Sequence, residues 1–283
     1  MLGKWLAGFR LAKDKILETM RVIRYCQNWP SVLVILIGGH LPLIRSRLPR
    51  DFIFISRSGQ ILRAPRGRDT QSPLMEVLLD DVYHLSRLPW IGDRSYPLRV
   101  VDVGAHVGSF SFAIVLQFPG ASVTCYEPSP VANAYLDGNV QQNGLTSRIR
   151  TVAAAVDVCA GQAVLHQTRA GSAGATLFSN SPSFPGSSGF EVGVDVVGVA
   201  EAFEAARSPE LVKLDCEGSE YAIVLESDSS VWSSVRCVLL EYHSVPGHSW
   251  TELMKRFEDL GFRCAWHDPN PREGFGVAML VRS

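Results

Sequence analysis

Two clusters in the 283-residue chain carry residue types and spacings that could do chemistry. The first is Asp102-Val103-Gly104-Ala105-His106-Val107-Gly108, where an apolar run ends in a carboxylate and enters a glycine loop. Gly104 permits a tight turn, and Gly108 lets a following helix start pack closely. At the carboxyl end of a first strand, such a loop lies where open α/β sheets bind ligands. Its spacing is Asp-x-Gly-x-x-x-Gly rather than the GxGxxG of dinucleotide sites, and Asp102 is badly placed for a pyrophosphate. A carboxylate there suits a cationic ligand, such as the amino acid end of S-adenosylmethionine. Glu127 ends the next apolar run, about 20 residues on, where an acid can accept hydrogen bonds from two ribose hydroxyls. Asp157 follows the third run and reads either as a partner for an adenine amino group or as a solvated turn residue. The expected cofactor contacts are therefore Asp102, Gly104, Ala105, His106, Gly108, Glu127, Asp157 and Asp215.

The second cluster is Lys213-Leu214-Asp215-Cys216-Glu217-Gly218-Ser219-Glu220, with Glu241 and His243 ending the run after it. Alternation along an extended chain sends Asp215 and Glu217 to one side. There they could share a proton, orient a hydroxyl or hold a divalent cation. Glu220 reads as a cap on the helix beginning near Ser219. His243 has an ordinary pKa near neutrality, suited either to a general base or to a structural role. Lys213 could position Asp215 or Glu241. Asp215, Glu217, His243 and Lys213 are the candidate catalytic residues. No metal is assigned, because the histidines show no metal-ligand spacing.

The elements that must position these groups alternate from Leu98 onward as in a parallel sheet with helices on both faces. Strands are expected at Arg99–Val103, Ser122–Glu127, Ile149–Ala155, Leu211–Asp215, Arg236–His243, Phe262–Trp266 and Val277–Val281. The last two flank the turn-rich Asp268–Gly274 and should form an antiparallel hairpin at a sheet edge. Ser249 and Glu252 form a capping box for the helix before them, and Gly261 ends it. A domain over residues 98–283 would follow an N-terminal helical extension over 1–97. In that extension residues 2–23 read as a basic amphipathic helix, Phe52–Arg63 as a hairpin turning at Ser58-Gly59, and Asp69–Leu88 as helical. The basic helix packs on its own domain or a partner subunit, or lies in a membrane interface. The segment 171–189 is rich in Gly, Ser and Pro and reads as a loop.

Composition narrows the function classes. With 46% hydrophobic and 19% charged residues the chain is globular, and a net charge of −1 provides no overall field toward nucleic acid. Six cysteines without a CxxC pair read as free thiols, not disulfides or a zinc site. The apolar stretch Val32–Ile44 is broken by Gly, His and Pro and falls short of a membrane span, so a cytoplasmic protein is expected.

Three segments resemble the FkbM-type family of methyltransferases: VVDVGAHVGSFS at 100–111, CYEPSPVANAYLDGNVQQNG at 125–144 and LVKLDCEGSEYAIV at 211–224. Lys-x-Asp-x-Glu-Gly-x-Glu after a strand is the most specific, and VLLEYH at 238–243 matches the family's next strand. The resemblance covers about residues 50–283. It implies a seven-stranded, mostly parallel Rossmann-like methyltransferase sheet with S-adenosylmethionine as methyl donor. It also implies a small-molecule acceptor, usually an oxygen on a sugar or natural product. His106 stands where the family often has Asn, and the 171–189 loop is unusually long. Two alternatives are a nucleotide-binding oxidoreductase, against which the missing GxGxxG and Tyr-x-x-x-Lys count, and a non-catalytic domain that has kept the fold.

Overall fold

The computed structural model describes residues 19–38, 42–168, 171–177, 189–270 and 274–283. The chain forms two compact units, Met1–Gln71 and Ser72–Ser283. Residues 2–18 of the expected N-terminal helix lie outside the described residues, and 19–25 are helical.

In the first unit, β1 (Asp51–Ile55) and β2 (Ile61–Pro65) form the expected antiparallel hairpin. Gly59 provides the left-handed turn at φ 91°. Helix α1 (Trp29–Gly38) follows a chain segment pinned to β1. Gln27 N–H donates to Ile55 O, while the Asn28 amide bonds both Ile53 O and Ile55 N–H. Val32 and Ile35 of α1 are buried, as are Phe52, Phe54, Leu62 and Ala64 of the hairpin.

The second unit is built on a seven-stranded sheet in the order β11-β12-β10-β9-β3-β4-β5. The members are β3 (Arg99–Val103), β4 (Ser122–Tyr126), β5 (Ile149–Val152), β9 (Leu211–Leu214), β10 (Cys237–His243), β11 (Phe262–Asn270) and β12 (Phe275–Arg282). From β10 to β5 all neighbours are parallel, whereas β12 is antiparallel to both β10 and β11, the expected edge hairpin. The chain leaves β3 toward β4 and β5 on one side and returns to β9 on the other. The β3/β9 junction is therefore the topological switch point, where such sheets open a crevice at their carboxyl ends.

Helices α2 (Ser109–Gln117), α3 (Pro130–Gln142), α4 (Val199–Ala205), α5 (Glu220–Glu226) and α6 (Trp250–Asp259) complete the main layers. Ser249 caps α6 by accepting from Glu252 N–H, and Gly261 follows it at φ 83°. Alternation divides the sheet chemically. Val101, Val103, Val212, Leu214, Val238 and Leu240 join one apolar cluster with Tyr221, Trp232, Leu253 and Phe257. Asp102, paired with Lys213 in the β3/β9 register, has the opposite parity.

Three expectations change. The turn expected over Asp268–Gly274 is shorter, because β11 continues to Asn270, paired with Phe275. The strand expected over Ile149–Ala155 stops at Val152. Ala155–Asp157 (β6) instead joins a separate sheet with β7 (Gly161–Gln167) and β8 (Phe190–Gly198) in the order β6-β8-β7. An unbroken run of small apolar residues gave no sign of the break. The helix expected over Asp69–Leu88 is interrupted: a π-helical turn at Glu76–Asp80 ends in left-handed Asp81. The Asp81 carboxylate accepts from Leu85 N–H and caps a short 3-10 helix, so it competes with helix continuation. All six cysteines are free, with Cys26, Cys125 and Cys237 buried and Cys264 exposed on the edge strand.

Phe257 is fully buried, edge-on to both Trp232 and Phe262. Phe257→Ala should destabilise the chain by about 3–5 kcal/mol through lost burial and a cavity, read as a lower midpoint in chemical denaturation.

Candidate active site

The cofactor loop is fixed by close backbone contacts. Gly104 N–H and Ala105 N–H both donate to Tyr126 O at 3.0 and 3.1 Å, so the loop curls over the end of β4. Gly104 has φ 74°, and a Cβ there would sit 1.7 Å from Asp215 O. The first chemical cluster is thus pressed against the backbone of the second. Gly108, at φ 92°, starts α2 where a Cβ would meet Leu136 at 2.6 Å. His106 also takes a left-handed conformation, at φ 50°.

Asp102 is buried, and Ser111 Oγ donates to its Oδ2 at 2.6 Å. Burial raises its pKa, and the Lys213 ammonium, 3.4 Å from Oδ1, opposes that rise. Lys213 Nζ also donates to Gly104 O at 2.8 Å and lies 3.1 Å from Asp215 Oδ2. Burial pulls the lysine pKa down, but Asp215 and Asp102 outweigh it and hold the group protonated. Asp215 is shifted the other way. Burial raises it, yet Lys213 and His243 keep it below the ordinary carboxylate value.

Glu127 follows β4 and is buried, accepting from His106 N–H at 2.7 Å and Ser129 N–H at 2.8 Å. Burial pushes its pKa up to about 7 against those two hydrogen bonds. The described part of the long loop, 171–177, reaches both clusters. His106 Nε2 is 3.2 Å from Gly171 O, and Thr176 Oγ1 donates to Glu217 O at 2.7 Å. Residues 178–188 of that loop lie outside the described residues.

In the second cluster Glu220 is buried and accepts from Cys216 N–H and Gly218 N–H at 2.6 and 2.8 Å. It thus braces the turn before α5, whereas the expected role is a cap on the helix N–H groups, and Ser219 at the N-cap position makes no side-chain cap among the described residues. Its Oε1 also lies 3.3 Å from His243 Nδ1. His243 Nε2 lies 3.4 Å from Glu217 and 3.8 Å from Glu241. Burial lowers the histidine pKa, but Glu217 and Glu220 outweigh it and raise it well above the usual value, so the ring is protonated near neutrality. Glu241 is pushed up to about 8, by burial first and then by the charge of Asp215.

Sequence reasoning missed Tyr83, which is buried edge-on against Phe110. Its hydroxyl is 3.1 Å from Asp215 Oδ2 and 3.2 Å from Glu241 Oε2. One phenol proton serves one carboxylate at a time, so the pair is best satisfied when Glu241 carries a proton of its own. No motif marks Tyr83, since only the chain reversal after Asp81 brings it here. Asp157 stands apart from these contacts: it ends β6, and its carboxylate accepts from Val158 N–H at 2.7 Å. Asp215, Glu241 and His243 each bring one ligand-type atom within 4.8 Å of the others and could hold a cation. Lys213 already supplies positive charge to Asp215.

A family model for the methyltransferase FkbM domain matches residues 102–264, more than half of the chain. The chain belongs to the FkbM methyltransferase family. It is an S-adenosylmethionine-dependent methyltransferase, and S-adenosylmethionine is its cofactor. Methyltransferase sdnD of Sordaria araneosa is 25% identical over 226 residues, covering 66% of this chain and 80% of that protein. The 31-O-demethyl-FK506 methyltransferase FkbM of Streptomyces tacrolimicus is 25% identical over 176 residues, 52% of this chain and 66% of that protein. The crystal structure of methyltransferase FkbM from Methylobacillus flagellatus KT superposes with a TM-score of 0.44 at 15% identity, covering 65% of this chain and 43% of that one.

The donor set fits the cofactor. Glu127 uses two of a carboxylate's roughly four acceptor positions on backbone N–H groups, leaving capacity for a pair of ribose hydroxyls. Acidic groups predominate around the loop, which suits a cationic ligand. Gly104→Ala should weaken S-adenosylmethionine binding by about a hundredfold, about 2.8 kcal/mol, as measured by calorimetry. Glu127 generates a pH prediction. Its folded-state pKa lies above the ordinary value, so its protonation contributes stability at low pH that is lost as pH rises through about 7. The melting temperature of cofactor-free Glu127→Gln should therefore fall less than that of the wild type between about pH 5 and 8.

Proposed function

We propose that this methyltransferase places its methyl group on a hydroxyl oxygen of a small molecule, such as a sugar or other natural product. One observation carries the reading: Glu241, held at about 8 beside ionised Asp215 and the Tyr83 hydroxyl, in a half-buried cluster against the cofactor loop. When bound, S-adenosylmethionine supplies an activated methyl on a sulfonium for in-line displacement. An alcohol, with a pKa far above neutrality, must lose its proton as it attacks, whereas an amine can attack as the free base. A general base is therefore informative about the acceptor, and its best pKa lies near the working pH. Glu241 meets that condition. Asp215, already ionised, orients the hydroxyl through Oδ1 or Oδ2 while Lys213 fixes its position. His243 is protonated before any acceptor arrives, so it serves as a positive partner held by Glu217 and Glu220 and not as the base. The relative from Streptomyces tacrolimicus carries an O-methylation in its name, which supports an oxygen acceptor.

The test is transfer of labelled methyl from S-adenosylmethionine into a fractionated native extract, with mass spectrometry of the product. Label on nitrogen or on protein would overturn the reading, and cofactor binding without any transfer would favour a non-catalytic domain. With the acceptor in hand, kcat should rise with pH toward about 8 and then level. Glu241→Gln should lower kcat by about a hundredfold and remove that rise while sparing cofactor binding. Asp215→Asn should also slow turnover. Wild-type turnover in Glu241→Gln would remove Glu241 from the mechanism.

A further inference from the structure

The two units carry opposite charge. Residues 1–71 hold thirteen Lys and Arg against four Asp and Glu, while residues 72–283 hold fourteen against twenty-four. The near-neutral total conceals a strongly basic first unit. That unit also exposes apolar side chains. The α1 sequence WPSVLVILIG contains no charged residue. Its Val32, Ile35 and Gly38 row is buried, but the next row presents Val34 at 57% and Ile37 at 63% exposure. Beyond it, the helical turn Pro42–Arg45 presents Leu43 at 88% and Ile44 at 41%. Exposed Arg47 and Arg50 follow within one or two turns. A helix apolar on all sides is ordinarily covered on all sides, so this row calls for an occupant.

We infer that this face docks on an anionic lipid bilayer, with Val34, Ile37 and Leu43 entering the headgroup boundary and the arginines engaging acidic headgroups. The charge selects this occupant. A second copy would set one net-positive unit against another, and a neutral apolar partner would leave Arg47 and Arg50 without counter-charge. Apolar insertion plus a basic fringe is the two-signal arrangement that gives stable peripheral attachment. Among the described residues no helix is long and apolar enough to cross a membrane, so the face would lie on the bilayer. The inferred contact is at Trp29–Arg50, a segment separate from the residues 2–23 for which a membrane or subunit contact is expected from sequence. This surface lies outside the methyl-transfer machinery, and the inference does not depend on the acceptor.

The full-length protein, with its fold checked by circular dichroism and calorimetric S-adenosylmethionine binding, is sedimented with phosphatidylcholine vesicles with or without about 30% phosphatidylserine. Binding to the anionic vesicles alone is expected, weakening about tenfold or more as salt rises from about 0.1 to 0.5 M. Val34→Ser/Ile37→Ser/Leu43→Ser should reduce it by about tenfold or more, and Arg47→Glu/Arg50→Glu should do the same, while both variants bind S-adenosylmethionine like the wild type. No binding by the folded wild type, or equal binding to both vesicle types, would overturn the inference. A dimer in sedimentation velocity that the serine variant dissociates, with vesicle binding unchanged, would also overturn it and assign the face to self-association.

Discussion

A single buried ammonium organises the catalytic unit. Lys213 contacts the Asp102 and Asp215 carboxylates and the carbonyl of Gly104, so one cation joins the end of β3, the cofactor loop and the acidic turn after β9. Burying an ion costs several kcal/mol unless its partners stay in place. The Asp102–Lys213 register is therefore strongly specified. A one-residue slip of β9 against β3 would turn Lys213 into the apolar cluster on the other sheet face and leave Asp102 buried without its cation.

The same charge accounting shapes the crevice. Asp102, Asp215, Glu217, Glu220 and Glu241 gather around Lys213 and a protonated His243, an excess of acid in a half-buried space. Not all the carboxylates can be ionised together at low dielectric cost. Burial raises both Asp102 and Glu241, Glu241 to about 8, while Lys213 and His243 hold Asp215 below the ordinary carboxylate value. Two acids on neighbouring strands are thus pushed apart in basicity by burial of one and by the Lys213 charge beside the other, which is how a site obtains distinct proton-handling groups from the same side-chain type.

Much of this was legible in the sequence because it is local. The placement of Asp102, Glu127, Asp215 and His243 at or beside strand ends, the glycines of the loop, the Ser249 cap and the edge hairpin all follow from period, punctuation and spacing within a few residues. It is the observed register of β3, β9 and β10, not the sequence, that puts Asp102, Lys213 and Glu241 on one sheet face. The rest depended on distance along the chain. Tyr83 meets partners 132 and 158 residues away, and nothing in its own segment signals them. The protonation of His243 was equally hidden. An isolated histidine suggests a base, and only the charges of Glu217, Glu220 and Asp215 shift it toward a cation. The three-stranded sheet was missed because Val152 and Ala155 belong to one continuous apolar run that the backbone breaks.

The contact between Gly104 and the Asp215 carbonyl bears on how such an enzyme can diversify. With no room for even one methyl between the donor loop and the acid turn, the inner wall of the crevice cannot be re-cut to admit a differently shaped acceptor without also damaging cofactor capture. New acceptors must be accommodated from the outer rim, where Gly171–Thr176 reaches across from His106 to Glu217. A directed-evolution library aimed at changed selectivity would therefore do best to vary that rim and leave the lysine-centred wall untouched.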